Sequence, residues 1–397
     1  MVEWKPLINI VKSVSTGLNP RDNFVLNDDG AELYYVTVKE ITTNRILFSD
    51  STDKITVSAK EIINNRSKLE KGDILFSGIG TIGKVAYVDI PTNNWDCSES
   101  VFIIKPDKDY VRGKYLSYIL SSDIAKNQYE KGAAGAIMKG VRKNTLINLS
   151  IPIPSFSEQN RIVGILDTFT ASIENLKEQI TQRRKQYEYY RDQLLDLEGK
   201  EGVEMKKLGE VCDIKGRIGF RGYTREDQVG KGEGALTLTA TNIVNQHINY
   251  QNNTYITWEK YYESPEIMVN EEDIIVCQRG SIGKIAMVVN LKEKATINPQ
   301  LLLLKNIKCN NRFLIHYLLC RFFQEALNKI IGHGTVQMIA QKDLKELQIP
   351  LITNSREQQR IVSILDTFEA SIQNLETQLS QREKQYEYYR NKLLTFE

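Results

Sequence analysis

The chain has 397 residues, of which 41% are apolar and 26% are charged, a composition typical of a globular protein with about two or three domains. Lys and Arg total 52 against 50 Asp and Glu, so the net charge of +2 excludes a uniformly basic surface, and any contact with nucleic acid must come from local basic patches. The five cysteines lack CxxC spacing, the first residues do not form a signal peptide, and no apolar run approaches the roughly 18 residues of a membrane span, so we expect a cytoplasmic protein without a cysteine metal site.

Residues 1–154 predict a first α+β module. LYYVTV and SVFIIK have the composition of strands, and residues 114–130 have the pattern of a helix. Gly78, Gly80 and Gly83 follow an apolar strand with the spacing of a dinucleotide-binding loop, which requires a helix next. The following KVAYVDIP alternates like a strand, so we predict a strand–turn–strand hairpin instead. Residues of this module that could contact bases or phosphates are Lys12, Arg21, Asn23, Lys84, Lys139, Arg142 and Lys143.

Residues 155–198 predict a long helix, because apolar positions recur at alternating steps of four and three. These seam positions are Ile162, Leu166, Phe169, Ile173, Leu176, Ile180, Arg183, Tyr187, Tyr190, Leu194 and Leu197. Ser155 and Glu158 have the spacing of a capping box at the start of the helix. A 40-residue helix is about 60 Å long, and its narrow apolar stripe needs a partner in water.

Residues 199–352 predict a second α+β module with a related plan. IIVC and QLLLLK predict strands, and residues 312–327 predict a helix. The segment from Asp273 aligns with the segment from Asp73, and Gly280 and Gly283 recur, but Gln278 stands where the first module has its first glycine. This replacement is further reason to predict a turn and no cofactor loop.

The second module also carries side chains suited to DNA. Arg and Gln can read guanine and adenine bidentately in the major groove, whereas Lys holds phosphates. The candidates are Lys215, Arg217, Arg221, Tyr223, Arg225, Thr239, Thr241, Asn242, Gln278, Arg279 and Lys284. Taken singly, each candidate in either module is better explained as an ordinary surface residue, and only the clusters favour DNA binding. His316 and Cys320 lie four residues apart on the predicted helix, but two ligands do not hold zinc, so we expect them to pack in the core.

Residues 353–397 repeat the first helix. Residues 357–397 align without a gap to residues 158–198 at an offset of 199, with about two-thirds of positions identical. Ser355 and Gln358 again have capping-box spacing. The order of module, helix, module and helix predicts two α+β domains separated by two long antiparallel coiled-coil helices with pseudo-two-fold symmetry. The alternative is that the two helices share ancestry but lie on the surface without packing against each other.

Several identities between the helices lie off the seam, where heptad packing does not require them. Tyr189 and Tyr388 occupy c positions, which face away from the seam. One hypothesis is that each helix binds a copy of the same partner; recent duplication is the other. The candidate partner-docking residues are Arg161, Tyr189, Arg191, Arg360, Tyr388 and Arg390.

The GDILFSGIGTIGKVA and EDIIVCQRGSIGKIA turns, the LSIPIPSFSEQNRIV and LQIPLITNSREQQRIV junctions and the long helices resemble the specificity subunits of type I restriction-modification systems over essentially the whole chain. The resemblance implies two target-recognition domains that each read half of a bipartite, asymmetric DNA site. It implies helices that set the spacer and bind two modification subunits, which use S-adenosylmethionine to methylate adenine N6, and restriction subunits that translocate and cut. The chain itself would be non-catalytic and would need no cofactor.

Two other classes of function remain open at this point. A self-contained methyltransferase would depend on the Gly78 to Gly83 loop, yet the sequence contains no Asn/Asp-Pro-Pro-Tyr/Phe motif, nucleophile elbow, HExxH motif or Walker loop. A stand-alone nucleic-acid-binding coiled-coil adaptor would use the helices alone. Binding of S-adenosylmethionine by the isolated chain would favour the methyltransferase. Salt-dependent retardation of DNA by the assembled complex in a gel-shift experiment would favour a DNA-reading subunit over an adaptor.

Overall fold

The computed structural model describes residues 2–42, 44–133, 140–219, 222–251, 253–332 and 337–396. Contacts divide the chain into two compact units. Unit 1 contains residues 1–177 and 377–397, and unit 2 contains residues 178–376. Within the described ranges, no helix has the length and apolar character needed to cross a membrane.

Unit 1 is an α+β unit built on two small sheets and a ribbon. Its strands are β1 (Glu3–Pro6), β2 (Val11–Thr16), β3 (Leu33–Val36), β4 (Lys54–Ile55), β5 (Ile74–Ser77), β6 (Val85–Tyr87), β7 (Trp95–Cys97), β8 (Val101–Pro106) and β9 (Ser150–Ile153). Its helices are α1 (Val57–Arg66), α2 (Gly113–Leu120), α3 (Asp123–Ala133), α4 (Lys143–Ile147) and the first part of α5 (Phe156–Leu194). The sheets have the orders β2-β8-β5-β6 and β4-β3-β7, β3 and β7 run parallel, and β1 pairs with β9.

Unit 2 is a second α+β unit with a related but larger pair of sheets. Its strands are β10 (Val203–Lys207), β11 (Asp213–Gly216), β12 (Gln228–Val229), β13 (Gly234–Leu238), β14 (Ile243–Val244), β15 (His247–Ile248), β16 (Thr254–Thr257), β17 (Met268–Val269), β18 (Ile274–Cys277), β19 (Ile285–Met287), β20 (Ala295–Ile297), β21 (Leu301–Lys305) and β22 (Gln348–Ile352). Its helices are α6 (Leu208–Val211), α7 (Trp258–Tyr262), α8 (Asn311–Leu319), α9 (Arg321–Lys329), α10 (Gln341–Glu346) and the first part of α11 (Ser355–Leu394). The sheets have the orders β11-β21-β18-β19-β15-β14 and β12-β16-β13-β20-β17, and β10 pairs with β22.

The single helix predicted near the end of each module is wrong, because each module has two helices there. In unit 1 the break follows α2, where Ser121 and Ser122 donate their hydroxyl hydrogen bonds back to the carbonyls of Tyr118 and Ile119. In unit 2 the break is at Cys320, whose ψ of 159° is extended. His316 and Cys320 are both fully buried, as expected for core residues.

The starts of the long helices follow the sequence closely. The Ser155 hydroxyl accepts a hydrogen bond from the Glu158 amide at 3.3 Å, which confirms the first predicted cap. In α11 the cap is Asn354, whose side-chain oxygen accepts from the amides of Arg356 and Glu357 at 3.0 and 3.3 Å. Ser355 is therefore the first helical residue and not the cap, since asparagine is at least as good a cap as serine.

Parts of α5 and α11 pack antiparallel in each unit, as predicted. In unit 1, Phe169 stacks on Tyr389 with ring centroids 5.4 Å apart, and Lys177 pairs with Glu383 at 3.2 Å. In unit 2, Tyr190 stacks on Phe368 at 5.5 Å, and Arg184 contacts Glu376. Residue numbers rise along one helix as they fall along the other, which defines the antiparallel direction in both units.

The polar interruption of each seam is an aromatic layer. The Arg382 guanidinium lies 5.7 Å from the Phe169 ring in unit 1, and the Arg183 guanidinium lies 5.9 Å from the Phe368 ring in unit 2. Each phenylalanine thus contacts an arginine and a tyrosine of the opposite helix. A cation over an aromatic face stabilises the charge without a carboxylate partner, so the arginine fits a seam position.

A buried carboxyl lies in the core of unit 1. Asp96 is fully buried, its Oδ1 accepts a hydrogen bond from the Cys97 amide at 2.9 Å, and Lys60 Nζ lies 3.9 Å from its Oδ2. Burial raises the pKa of Asp96 to about 6, while the Cys97 amide and Lys60 oppose this shift. The charged form therefore costs stability at neutral pH.

This shift predicts a pH dependence of unit 1. Because the pKa of Asp96 is higher in the folded state, its stabilising contribution is complete below about pH 4 and is lost as the pH rises through 6. We expect Asp96 to make unfolding about 1 kcal/mol more costly at pH 5 than at pH 7. The measurement is denaturation followed by tryptophan fluorescence in a Trp258→Phe background, with and without Asp96→Asn. An equal pH slope in the two proteins would contradict the assignment.

Candidate nucleic-acid interface

Both glycine segments are turns between antiparallel strands, which confirms the predicted hairpins. Gly80 and Gly83 have φ of +80° and +82° between β5 and β6. Gly280 and Gly283 have φ of +76° and +82° between β18 and β19. Glycine adopts this left-handed backbone without the strain that a Cβ brings, so the four glycines fix the same turn in both units.

The lysine that ends each turn is tied to a neighbouring loop or strand. Lys84 is half-buried and its Nζ donates to the Val38 carbonyl at 2.8 Å. Lys284 is exposed and its Nζ donates to the Ile243 carbonyl at 3.4 Å. Each ammonium thus has one internal acceptor. Of the two, Lys284 is the better placed to meet a phosphate.

The chain returns to the glycine turn after α3 and after α9. In unit 1 the Val141 amide donates to the Gly78 carbonyl at 2.8 Å, so the exposed Arg142 and Lys143 follow directly beside the turn. In unit 2 the Ile339 amide donates to the Gln278 carbonyl at 3.0 Å. The predicted DNA contact at Lys139 lies outside the described residues, as does that at Arg221.

Parallel strands bring the polar residues of unit 2 to one edge. Leu238 and Ile297, the last residues of β13 and β20, are register partners, so the chain leaves both strands on the same side. The Asn298 amide donates to the Leu238 carbonyl at 2.9 Å, and the Gln278 amide donates to the Gln300 carbonyl at 2.9 Å. We call Thr239, Thr241, Arg279 and Gln300 the polar edge of unit 2; Asn298, which is 8% exposed, lies beneath this edge.

Unit 1 forms the same frame from other residues. Val36 and Cys97 end the parallel strands β3 and β7 as register partners. The Gly78 amide donates to the Ser100 carbonyl at 2.9 Å, as Gln278 does to Gln300 in unit 2. We call Thr37, Ile79 and Ser100 the polar edge of unit 1; Ser98, which is 5% exposed, lies beneath this edge.

Three predicted DNA contacts are corrected by their burial. Arg217 is 9% exposed, and its guanidinium donates to the Ile297 carbonyl and to the Thr296 hydroxyl at 3.3 and 3.2 Å. Asn242 is 3% exposed and caps the turn at Thr239, whose amide donates to its Oδ1 at 2.9 Å. Gln278 donates through Nε2 to the Pro299 carbonyl at 3.0 Å. These polar groups hold the edge in place from beneath.

The remaining candidates of unit 2 are more accessible. Arg225 is exposed just before β12, and Lys215 is half-buried on β11. Tyr223 is half-buried, and its ring lies 5.3 Å from the buried Arg217 guanidinium. Of these residues, Arg225 is the one whose charge lies free on the surface of the described loop.

The candidates of unit 1 are spread more widely. Lys12 is exposed at the start of β2. The other end of this strand, Thr16, pairs with Phe102 beside the turn. Lys12 lies four residues, or roughly 13 Å, from Thr16 and therefore far from the turn. Arg21 and Asn23 are exposed in the loop that follows Gly17. That loop starts beside the edge, because a Cβ on Gly17 would lie 1.8 Å from the Cys97 carbonyl oxygen. Lys12 is the candidate that the structure does not bring to the edge.

Sequence reasoning missed Gln300 and Ser100, and also the buried Asn298 and Ser98, whose side chains hydrogen-bond to them. Each follows a short strand in a stretch that has the composition of an ordinary turn, so local composition gave no signal. Their position depends on the parallel pairs β3–β7 and β13–β20, which join segments about 60 residues apart in the chain. Only this long-range pairing brings them to the edge.

The candidate docking residues of the helices fall into three groups. Tyr189 and Tyr388 are 59% and 60% exposed, so both predicted outward positions are accessible. Arg161 and Arg360 are exposed and pair bidentately with Glu158 and Glu357.

Arg191 and Arg390 face the seam tyrosines. The prediction that Arg191 binds a partner is wrong. The Arg191 guanidinium lies 5.3 Å from the Tyr187 ring and the residue is only 6% exposed. Arg390 is half-buried over the Tyr386 ring at 5.5 Å. Arg191 is thus buried within unit 2, where a partner cannot reach it.

His316, Asp366 and Glu369 place three potential metal ligands within 4.8 Å of one another. Arg312 already pairs with both carboxylates of this cluster, because its guanidinium donates to Asp366 and to Glu369. Burial acts against the charge on Asp366, yet hydrogen bonds from His316 and Arg312 hold the pKa of Asp366 below its ordinary value. The cluster therefore forms a network of ion pairs and hydrogen bonds that joins α8 to α11.

Comparisons with known proteins agree with this geometry. The family model for the type I restriction modification DNA specificity domain matches residues 3–183 and 200–383. A type I restriction enzyme specificity subunit of Escherichia coli is 28% identical over 416 residues, which cover 100% of this chain and 94% of the relative. A putative type I restriction enzyme specificity subunit of Haemophilus influenzae is 28% identical over 277 residues, covering 66% of this chain and 68% of the relative.

Two solved structures share the fold. One chain, from a study of complex assembly and conformational transition of the type I restriction-modification system, has a TM-score of 0.58 at 20% identity and covers 99% of this chain and 96% of its own length. The type I restriction-modification S subunit from M. genitalium has a TM-score of 0.56 at 17% identity and covers 100% of this chain and 97% of its own. These structures share the fold, and the family match over residues 3–183 and 200–383 shows that the chain belongs to the family of type I restriction-modification DNA specificity subunits.

Proposed function

We propose that this chain is the non-catalytic DNA-recognition subunit of a type I restriction-modification complex and that each unit reads one half of a bipartite, asymmetric site. The observation that carries the proposal is the pair of polar edges, which share one backbone frame but present different side chains. Thr37 and Thr239 occupy the same place in this frame, and their amides donate to Glu40 and Asn242, three residues further along.

The differing side chains of the two edges would read different bases. Ile79 of unit 1 corresponds to Arg279 of unit 2, and both are exposed. Ser100 corresponds to Gln300 through the same backbone hydrogen bond. Arginine and glutamine can each make two hydrogen bonds to one base, whereas isoleucine offers only an apolar contact, to a thymine methyl for example. Two such edges therefore favour two unlike half-sites.

The basic residues beside the edges would hold the DNA backbone. Arg142 and Lys143 flank the turn of unit 1, and Lys284 and Arg225 are exposed in unit 2. Contacts of this kind fix the register of a protein on the duplex and carry no sequence information. They also make binding salt-dependent, because each phosphate that is neutralised releases counterions.

The test is the methylome of a host that expresses the chain with its modification subunit. We expect one methylated motif with two unlike half-sites and an unread spacer of fixed length, and no such motif in a control host that lacks only this chain. A continuous or palindromic motif would contradict the proposal. DNA binding by the complex should also weaken steeply as salt rises.

The proposal includes the partners and compartment of the complex. Two modification subunits would bind the chain, take up S-adenosylmethionine and methylate adenine N6, restriction subunits would translocate and cut, and the complex would work in the cytoplasm. The relatives named as specificity subunits of type I restriction enzymes support these assignments. The chain itself would bind no cofactor, so the isolated chain should not bind S-adenosylmethionine.

The outward tyrosines of the helices supply a test of partner docking. Tyr189 and Tyr388 are exposed aromatic side chains of the type that anchors protein interfaces, and they lie off the seam. We expect Tyr189→Ala with Tyr388→Ala to weaken binding of the modification subunit about fivefold or more at each site, since each site loses one anchor that contributes about 1 kcal/mol or more.

Binding is measured by titration calorimetry, and circular dichroism checks that the helices are retained. The matched control is Lys185→Ala with Lys384→Ala, which changes a second repeated and exposed pair on the same helices. An unchanged dissociation constant in the tyrosine variant would remove these residues from the interface.

A further inference from the structure

The two long helices hold their modules through one repeated aspartate. In unit 1, Asp167 accepts hydrogen bonds from Lys114 Nζ at 2.8 Å and from the Tyr118 hydroxyl at 2.6 Å. In unit 2, the equivalent Asp366 accepts from Arg312 Nη2 at 2.6 Å and lies 2.8 Å from His316 Nε2. The identity of this off-seam residue in both helices is therefore explained by contacts inside the chain.

Next to this shared contact, the two helices differ. One turn further along, Thr170 of α5 corresponds to Glu369 of α11. The Thr170 hydroxyl lies 3.5 Å from the Tyr118 hydroxyl, whereas the Glu369 carboxylate accepts from Arg312 and, at 3.4 Å, from the Tyr187 hydroxyl. Each side chain thus matches the module that its own unit contains.

A second difference lies one heptad after the aspartate, where Glu174 corresponds to Gln373. Arg45 Nη1 lies 2.8 Å from Glu174 Oε2 in an ion pair, and Arg45 belongs to the hairpin closed by the Ile41–Ile46 bridge. Asp167 and Glu174 lie on the same face of α5, about 10 Å apart. The first module is therefore held on α5 at two points, by α2 and by this hairpin.

In the corresponding hairpin of unit 2, closed by the Ile243–Ile248 pair, His247 stands where unit 1 has Arg45. Asn245 and Gln246, with φ of +50° and +66°, connect β14 to β15 and line a small cavity with Arg184 and Glu376. An amide at position 373 offers no carboxylate to an arginine. The arginine–glutamate pair at the second point is thus a feature of unit 1, where unit 2 has His247 and Gln373.

We propose that positions 170 and 174 of α5, and 369 and 373 of α11, match each helix to its own module, and that the Arg45–Glu174 pair is a positioning contact that fixes the orientation of the first module on α5. Two contacts on one helix face restrict rotation of the module about the first contact. Given the function proposed above, this orientation determines how strictly the complex measures the spacer.

The test compares Arg45→Glu, Glu174→Arg and the double charge exchange in the full complex. Each single reversal should speed hydrogen–deuterium exchange at the amides of Arg45 to Leu47 and lower methylation at the normal spacer by about threefold to tenfold, because a partly exposed ion pair is replaced by repulsion. Methylation at spacers one base pair longer or shorter should rise. The half-sites should not change, and the double exchange should restore both readouts.

The control is Lys126→Glu, an equal charge reversal on α3 of the same unit. It should leave exchange at the hairpin and the spacer distribution as in the original protein. Unchanged hairpin exchange in the single variants, or no recovery in the double exchange, would overturn the inference. If the original protein gives a bipartite motif and Arg45→Glu gives the same spacer distribution, the inference is overturned and the proposed function stands. Absence of any bipartite motif would instead remove the proposed function, and hairpin exchange would still decide whether the pair positions the module.

Discussion

A chain shortened to residues 1–198 is expected to form a dimer and, with the modification subunit, to methylate a palindrome made from the first half-site. Unit 1 is incomplete in this shortened chain, because residues 377–394 of α11 pack on its part of α5. The exposed apolar stripe must then find another partner. The second half of α5 from another copy is the most similar surface available.

The repeat makes this substitution physically reasonable. Around Phe169, residues Arg382 and Tyr389 supply the cation and the stacked ring, and Arg183 and Tyr190 stand at the equivalent positions of α5. Two copies would therefore rebuild the same layer in both units of a symmetric dimer. Light scattering at micromolar concentration should give twice the mass of the shortened chain, and the methylome should contain an inverted repeat.

A matched variant separates pairing from other causes. Phe169→Ala in the shortened chain should shift the dimer toward monomer, since it removes the half-buried ring on which the stacked tyrosine and the arginine of the aromatic layer both pack. A stable monomer of the unaltered shortened chain would contradict the antiparallel pairing proposed for the two copies.

Insertion of one heptad into both helices should lengthen the spacer. The natural places are after Lys177 and after Glu376, where the division between the units falls. Seven residues add about 10 Å and preserve the alternation of the seam, and 10 Å corresponds to roughly three base pairs. We expect both half-sites to persist with a spacer about three base pairs longer.

The rate of methylation should fall in this variant. Three base pairs are also roughly 100° of DNA twist, which the complex must absorb. The control inserts the heptad into one helix only, which breaks the register of the pair and should abolish specific methylation. If the half-sites change while the spacer stays constant, the helices do not measure the distance.

The parts of the structure that sequence could predict are those set by local periodicity. The steps of four and three between Ile162 and Leu194 give a helix that ends at Leu194, four residues before the predicted end. The strand–turn–strand geometry at Gly80 and Gly83 follows from residues within one hairpin. The cap of α11 was misplaced by one residue, because Asn354 and Ser355 are both good caps and only the hydrogen bonds distinguish them.

The parts that sequence could not predict depend on pairing between distant segments. Arg217 and Arg225 occur in the same polar stretch, yet one is buried beneath the edge and the other is exposed. This difference arises because Arg217 faces the carbonyl of Ile297, 80 residues away. Arg191 has the same explanation, since the ring that covers it is a seam tyrosine whose burial depends on the second helix.

The discontinuous composition of unit 1 has a consequence for the order in which the protein folds during synthesis. Residues 178–376 form unit 2 without interruption, so the ribosome releases all of its parts in one stretch. Unit 1 begins first but must wait for residues 377–394, about 200 residues later, with Phe169 and Leu166 of its helix uncovered. At 5–20 residues per second this delay is on the order of 10 to 40 s. A nascent chain that stops before residue 377 would leave the first recognition domain exposed to proteases, although every residue of its sheets had already been made.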